Sequence, residues 1–235
     1  MQTLTAARLP WLTLALMSLV GGAIWAFFAL AGEVAEGETR ALDETVLLWL
    51  RTPGDPSDPI GPGWLEVMMR DFTALGGVGV LTLVILATCG WLLLRREWRT
   101  AVFVGLATGT GIAMSTFFKT LFDRPRPDLV PHGTMVSTAS FPSGHSMMSA
   151  VVWLTVALVV ARSLDSARLK VFVVSAAVFV VTLVGVSRVY LGVHWPTDVL
   201  AGWSLGGGWA VLCALVAAWL GRHRQIEPQP DDRKV

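Results

Sequence analysis

The sequence predicts an all-α fold: a bundle of six transmembrane helices with short interfacial helices in its first non-cytoplasmic loop. Three observations carry this prediction. Of the 235 residues, 54% are hydrophobic and only 15% are charged, and the mean hydropathy is +0.61, well away from the composition of soluble domains. Six apolar runs are long enough, or nearly so, to cross roughly 30 Å of hydrocarbon. Lys and Arg collect in alternate connections, as the positive-inside rule requires of a multi-pass chain. The net charge is +1, and no basic cluster is interleaved with aromatics; a nucleic-acid partner is therefore not expected.

The first run covers residues 11 to 31. Ala29-Leu30-Ala31 resembles a signal-cleavage site, but the apolar core is longer than a usual signal and only Arg8 precedes it, which favours a retained span. Residues 32 to 77 follow, a segment too long to lack structure of its own. Within Ala41 to Arg51, Leu42, Val46 and Leu50 recur at helical spacing and predict an amphipathic helix lying on the membrane surface. The stretch RTPGDPSDPIGPG reads as a turn-rich connector, and Trp64 to Thr73 as a second interfacial helix. This segment could roof a site, contact a lipid headgroup or simply pack on the surface.

Runs at 78 to 94, 101 to 118, 146 to 161, 171 to 186 and 199 to 220 complete the six spans. Gly105 with Gly109, and Gly202 with Gly206, have the small-xxx-small spacing that lets helices approach closely, and are read as packing positions. The eleven tryptophans suit the headgroup level. Cys89 and Cys213 lie inside apolar runs and read as small buried hydrophobes, neither a disulfide nor metal ligands. The organisation expected is one membrane domain over 1–224 and a disordered cytoplasmic tail over 225–235.

Arg8, then Arg95, Arg96 and Arg99, then Arg162, Arg168 and Lys170, then Arg222 and Arg224 fall on one side, which is read as the cytoplasm, with both termini inside a cell (inner) membrane. Lys119, Arg124, Arg126 and Arg188 break the rule on the periplasmic or exterior side. They belong to three clusters at span ends: KTLFDRPRP from Lys119, FPSGHS from Phe141, and SRVYLGVHWPTD from Ser187.

Physical chemistry assigns these clusters parts in phosphate chemistry. Pro196 suits the first position of a helix, where its missing N–H costs nothing. Asp198 then falls in the first turn and can reach back to His194, fixing its tautomer and leaving one ring nitrogen as a nucleophile. Ser143 and Gly144 open another helix, whose free N–H groups favour anions. Lys119, Arg126 and Arg188 add charge and fork-shaped donors suited to a phosphoryl group, and His145 is placed to protonate a leaving oxygen. Taken singly, each residue has a plainer reading: a histidine near a helix start is usually structural, a loop arginine is usually a headgroup anchor, and Arg124 can simply pair with Asp123. Two histidines, an aspartate and three spaced cations on one side of a membrane favour function over anchoring.

The run Lys119, six residues, Arg126-Pro127, then Pro142-Ser143-Gly144-His145, then Ser187-Arg188, five residues, His194, three residues, Asp198 resembles the tripartite signature of the type 2 phosphatidic acid phosphatase superfamily. The resemblance implies that His194 attacks phosphorus to form a phosphohistidine while Asp198 orients it. His145 would protonate the departing oxygen. Lys119, Arg126, Arg188, Ser143 and the backbone of Gly144 would hold the phosphoryl oxygens. Water would then release phosphate with no cofactor and no metal, and the chain offers no acidic metal-ligand cluster. The expected partner is a lipid phosphate, with undecaprenyl diphosphate, phosphatidic acid, phosphatidylglycerol phosphate and lipid A phosphate all compatible. The reading leans to undecaprenyl diphosphate or a broad lipid phosphatase. A phosphotransferase with the same site and a non-enzymatic lipid or anion transporter are the alternatives. The related vanadate-dependent haloperoxidases are soluble, which six spans count against. Oligomeric state is not legible.

Overall fold

A computed structural model describes residues 3–132 and 138–222. The expected tail at 225–235 lies outside the described residues. Eight helices and one small hairpin follow in order: α1 (Thr3–Glu36), α2 (Arg40–Trp49), β1 (Arg51–Thr52), β2 (Asp55–Pro59), α3 (Gly63–Ala74), α4 (Val78–Leu94), α5 (Trp98–Phe122), α6 (Gly144–Arg162), α7 (Ala167–Tyr190) and α8 (Pro196–Arg222). Five helices, α1, α5, α6, α7 and α8, are long and apolar enough to cross a membrane unaided. The sixth candidate is a bent pair: α4 meets the same measure only together with α3, across a 47° bend. The all-α multi-pass expectation therefore holds, and all six apolar runs are helical. The helix expected over Trp64 to Thr73 is present as α3, but it is half of that bent pair.

Helix α8 sits at the centre, packed on α1 and α6, while α6 also packs on α7. Two glycines permit the tightest contact. A Cβ on Gly202 would stand 2.8 Å from the Ser143 carbonyl oxygen, and one on Gly206 would stand 2.4 Å from that of Met147. Gly202 and Gly206 thus let the α8 backbone touch α6, as their spacing predicts. Gly105 and Gly109 do not: a Cβ at either would meet nothing within 4 Å, so that pair faces the outside of the bundle. Along α1, Phe27 and Ala31 are buried with Phe141 and Ala201, and Phe27 stacks on Phe141 with ring centroids 5.9 Å apart. This packing anchors the first helix to the loop that precedes α6.

The segment between α1 and α4 departs from expectation in two ways. The turn-rich connector closes into an antiparallel hairpin pairing Arg51 with Pro59 and Thr52 with Asp55, with Gly54 at φ 88° in its tip, where a side chain would be strained. Helix α2 exists as predicted, but the side it turns to the protein carries a carboxylate. Leu42 is exposed, whereas Asp43 and Leu47 are the buried pair. Leu47 fills a cluster with Val130, Val189, Trp195 and Val199, and Asp43 beside it is satisfied by polar partners from elsewhere in the chain.

Candidate active site

The three sequence clusters meet at one end of the bundle, where α5 and α7 finish and α6 and α8 begin. Ser143 is the N-cap of α6: its Oγ accepts from the Ser146 backbone N–H at 3.4 Å and from the Ser146 hydroxyl at 2.9 Å. Its own N–H donates to the Asp198 carbonyl oxygen at 3.0 Å, tying the start of α6 to the start of α8. Gly144 allows a further approach, because a Cβ there would stand 3.3 Å from Cε of Lys119. Lys119, in the last turn of α5, thereby lies across the N-terminus of α6, and its Nζ donates to the Ala139 carbonyl at 2.7 Å.

On α8, Pro196 is the first helical residue, as its chemistry requires. Asp198 lies two positions on and accepts from the Trp195 backbone N–H at 2.9 Å through Oδ2, a capping contact back to the residue before the helix. The same oxygen lies 3.3 Å from His194 Nδ1 and accepts from the Ser140 hydroxyl. Oδ1 accepts from Arg124 Nη1 at 2.6 Å. Asp198 is fully buried and His194 nearly so, and the carboxylate is surrounded by four donors, which offset its desolvation.

The other face of the imidazole is as well defined. Arg126 Nη1 lies 3.2 Å from His194 Nε2 and donates to the Val193 carbonyl at 2.6 Å. A guanidinium only donates, so Nε2 carries the lone pair and the proton sits on Nδ1, facing Asp198. Burial, first, and the nearby Arg188 and Arg126 push His194 below its ordinary pKa, against the pull of Asp198. The ring is therefore neutral at pH 7, as a nitrogen nucleophile must be. Burial also pulls the Arg126 guanidinium below its usual range; it remains a cation at neutral pH.

Arg188, at the end of α7, is buried and donates from Nη1 to Thr73 Oγ1 at 2.9 Å. Its Nε is buried without a partner among the described residues. An orphaned buried donor costs about 1–3 kcal/mol, so an oxygen acceptor bound beside it would offset that cost. His145 is half-buried and interacts electrostatically with Arg188, Lys119 and Arg126, so the second histidine shares Arg188 and Arg126 with the first.

All eight residues expected from the sequence are thus brought to one end. The proposed Asp123–Arg124 pairing is not formed. Asp123 ends α5 in the left-handed region at φ 38°, and Arg124 turns away to bridge Asp43 at 2.8 Å and Asp198 at 2.6 Å. Ser140, Thr197, Thr73 and Asp43 join the site without having been foreseen. Arg124 carried a signal, as a cation on the wrong side of the membrane. Asp43 carried none, since its partner is 81 positions away.

Fold and site together define a class: a multi-pass membrane enzyme of phosphate-ester hydrolysis. The pattern of the PAP2 superfamily matches residues 100–222. Phosphatidylglycerophosphatase B of Bacillus subtilis is 34% identical over 186 residues, which cover 77% of this chain and 85% of that protein. The lipid A 1-phosphatase of Rhizobium etli is 30% identical over 138 residues, covering 55% of this chain and 52% of its own. The crystal structure of a transmembrane PAP2-type phosphatidylglycerolphosphate phosphatase from Bacillus subtilis superposes with a TM-score of 0.74 at 30% identity, covering 86% of this chain and 96% of that one. The chain belongs to the PAP2 superfamily and is a membrane lipid phosphatase.

Proposed function

We propose that this protein hydrolyses a lipid phosphate through a phosphohistidine on His194, without a metal. The observation that carries the reading is the two-sided definition of that ring, with Nδ1 on a buried, fully bonded Asp198 and the Nε2 lone pair facing Arg126. The lone pair of Nε2 forms the N–P bond as the P–O bond to the lipid breaks, and His145 gives its proton to the departing oxygen. Water, losing a proton to His145, then attacks phosphorus; the N–P bond breaks and phosphate leaves. Lys119, Arg126 and Arg188, with Ser143 and the backbone of Gly144, hold the phosphoryl oxygens. Arg126 transfers a donor from Nε2 to the phosphoryl group as the substrate enters. Positioning and charge stabilisation do most of the work in such transfers.

The substrate proposed first is phosphatidylglycerol phosphate, with other lipid phosphates and diphosphates also accepted. Similarity, at 34% identity, to a protein named phosphatidylglycerophosphatase B over 85% of its length supports that order. Similarity to an undecaprenyl-diphosphatase of Sulfolobus acidocaldarius covers 37% of this chain and supports the earlier lean more weakly. The site is proposed to face the periplasm or exterior, with both termini cytoplasmic.

Phosphate release from a panel of these lipids, by purified protein in detergent with a chelator, tests the reading. Metal-independent release that His194→Ala abolishes is expected. Equal release by both proteins, or transfer to an acceptor lipid with no free phosphate, would overturn it. The same release measured outside intact cells tests the orientation.

A further inference from the structure

We infer that Asp43, on the surface helix α2, is a positioning residue that acts with Arg124 to set the place of Asp198 and the charge it presents to His194. This rests on the phosphohistidine reading and adds to it a residue outside the three sequence clusters. Asp43 is fully buried, and both of its oxygens are committed. Oδ1 accepts from the Thr197 backbone N–H at 3.0 Å, and Oδ2 accepts from the Thr197 hydroxyl at 2.7 Å and from Arg124 Nη2 at 2.8 Å. Thr197 is the neighbour of Asp198 on the first turn of α8. Arg124 uses its other terminal nitrogen on Asp198 Oδ1 and on the Thr197 hydroxyl. One carboxylate therefore fixes both the backbone beside Asp198 and the guanidinium that holds it.

The two sides of α2 divide accordingly. Leu42, Leu48 and Trp49 are exposed on it, as suits the lipid-facing side of a helix on a membrane surface, while the side turned to the protein carries Asp43 and Leu47. A carboxylate is buried in that position only when paired and hydrogen-bonded. Asp43 does not touch the ring of His194, so its effect must pass through Arg124, Thr197 and Asp198.

The charge balance makes the role measurable. Facing His194 are Asp198 on α8, Arg188 on α7 and Arg126 in the loop after α5, with Lys119 on α5 and His145 on α6 in the same cluster; Arg124 and Asp43 stand behind Asp198. Asp43, Arg124 and Asp198 together carry one net negative charge. Asp43→Asn removes that net charge and disfavours the imidazolium; Arg124→Gln leaves two negative charges and favours it.

In purified full-length protein, both variants should lower kcat by about 10- to 100-fold, as supporting partners of a bound ligand commonly do, with KM nearly unchanged. The acid limb of the pH profile should move to lower pH in Asp43→Asn and to higher pH in Arg124→Gln. The double variant, which restores the single net negative charge of the wild type, should return the limb toward wild type and lose less kcat than the two single losses combined. A merely structural role would reduce the amount of active enzyme without opposed shifts, and that result overturns the inference, as does wild-type kcat in Asp43→Asn. His194→Gln, assayed alongside, separates the two readings. An inactive His194→Gln beside a fully active Asp43→Asn overturns the positioning role alone; an active His194→Gln overturns both.

Discussion

His194 is held by what it lacks as much as by what it has. It is buried, its lone pair meets a guanidinium, and its proton faces a carboxylate whose two oxygens are both hydrogen-bonded. Burial lowers its pKa, and the neutral ring is the form the proposed nucleophile requires. As pH falls below the ordinary histidine value of about 6.5, the buried ring stays unprotonated where a free one would not. The acid limb of kcat/KM should therefore lie well below about 6.5, as a rate profile on the preferred lipid will test; a limb at the ordinary value would contradict the burial argument. The sign for stability is opposite. The unfolded chain takes up a proton on His194 that the folded chain refuses, so this residue's contribution to stability is lost as pH falls through the same range. Most motif residues at this site were legible because they are ionisable groups at span ends, and Ser143 with Gly144 because they open a helix. Ser140 was not, since a serine in a loop signals nothing until the fold sets its hydroxyl against Asp198.

At the scale of elements, the contact between α6 and α8 sets the geometry of the site, because the two helix starts it aligns carry Ser143 and Asp198. Gly206 is the pivot, with the Met147 carbonyl against its backbone. Gly206→Val should overpack this contact, at a cost of about 1–3 kcal/mol, lowering Tm and phosphate release together. Gly105→Val, on an open face, should leave both near wild type. Thermal unfolding of the two purified variants separates these outcomes, and equal Tm values would refute the assigned packing. The spacing of these glycines was equally visible in both pairs, but a spacing does not say which face of a helix meets another helix. The same limit applies to α2. Its existence followed from periodicity, but the side it turns to the protein carries Asp43, whose burial depends on Arg124 and Thr197 arriving from distant parts of the chain. The hairpin after it was legible only as turns, since prolines and glycines announce a reversal without naming the strands that flank it.

On the scale of the whole molecule, the six apolar runs produce a bundle whose alternate ends differ in chemistry. Among the described residues, one end carries Arg95, Arg96, Arg99, Arg162, Arg168 and Lys170 at its helix ends and connections; the other gathers Lys119, Arg126 and Arg188 near two histidines. The first loop, read from sequence as a roof, a headgroup contact or plain surface packing, supplies polar partners to the residues of the cluster. It gives Asp43 to Arg124 and Thr73 to Arg188, and Arg51 to the Tyr190 carbonyl at 2.9 Å. Architecture and family were thus legible from six runs and three motifs, while these partnerships, built from contacts more than a hundred positions apart in the cases of Thr73 and Arg51, were not. The central claim is that the phosphoryl group rests on His194 between the lipid and water. It is tested most directly by incubating the purified protein with inorganic phosphate in ¹⁸O-labelled water and a chelator, and following the isotope into phosphate. A phosphohistidine formed and hydrolysed reversibly predicts exchange in the wild type and a loss of more than about a thousandfold in His194→Gln. Exchange that persists in the variant, or none in a wild-type preparation that hydrolyses its lipid, would contradict the account.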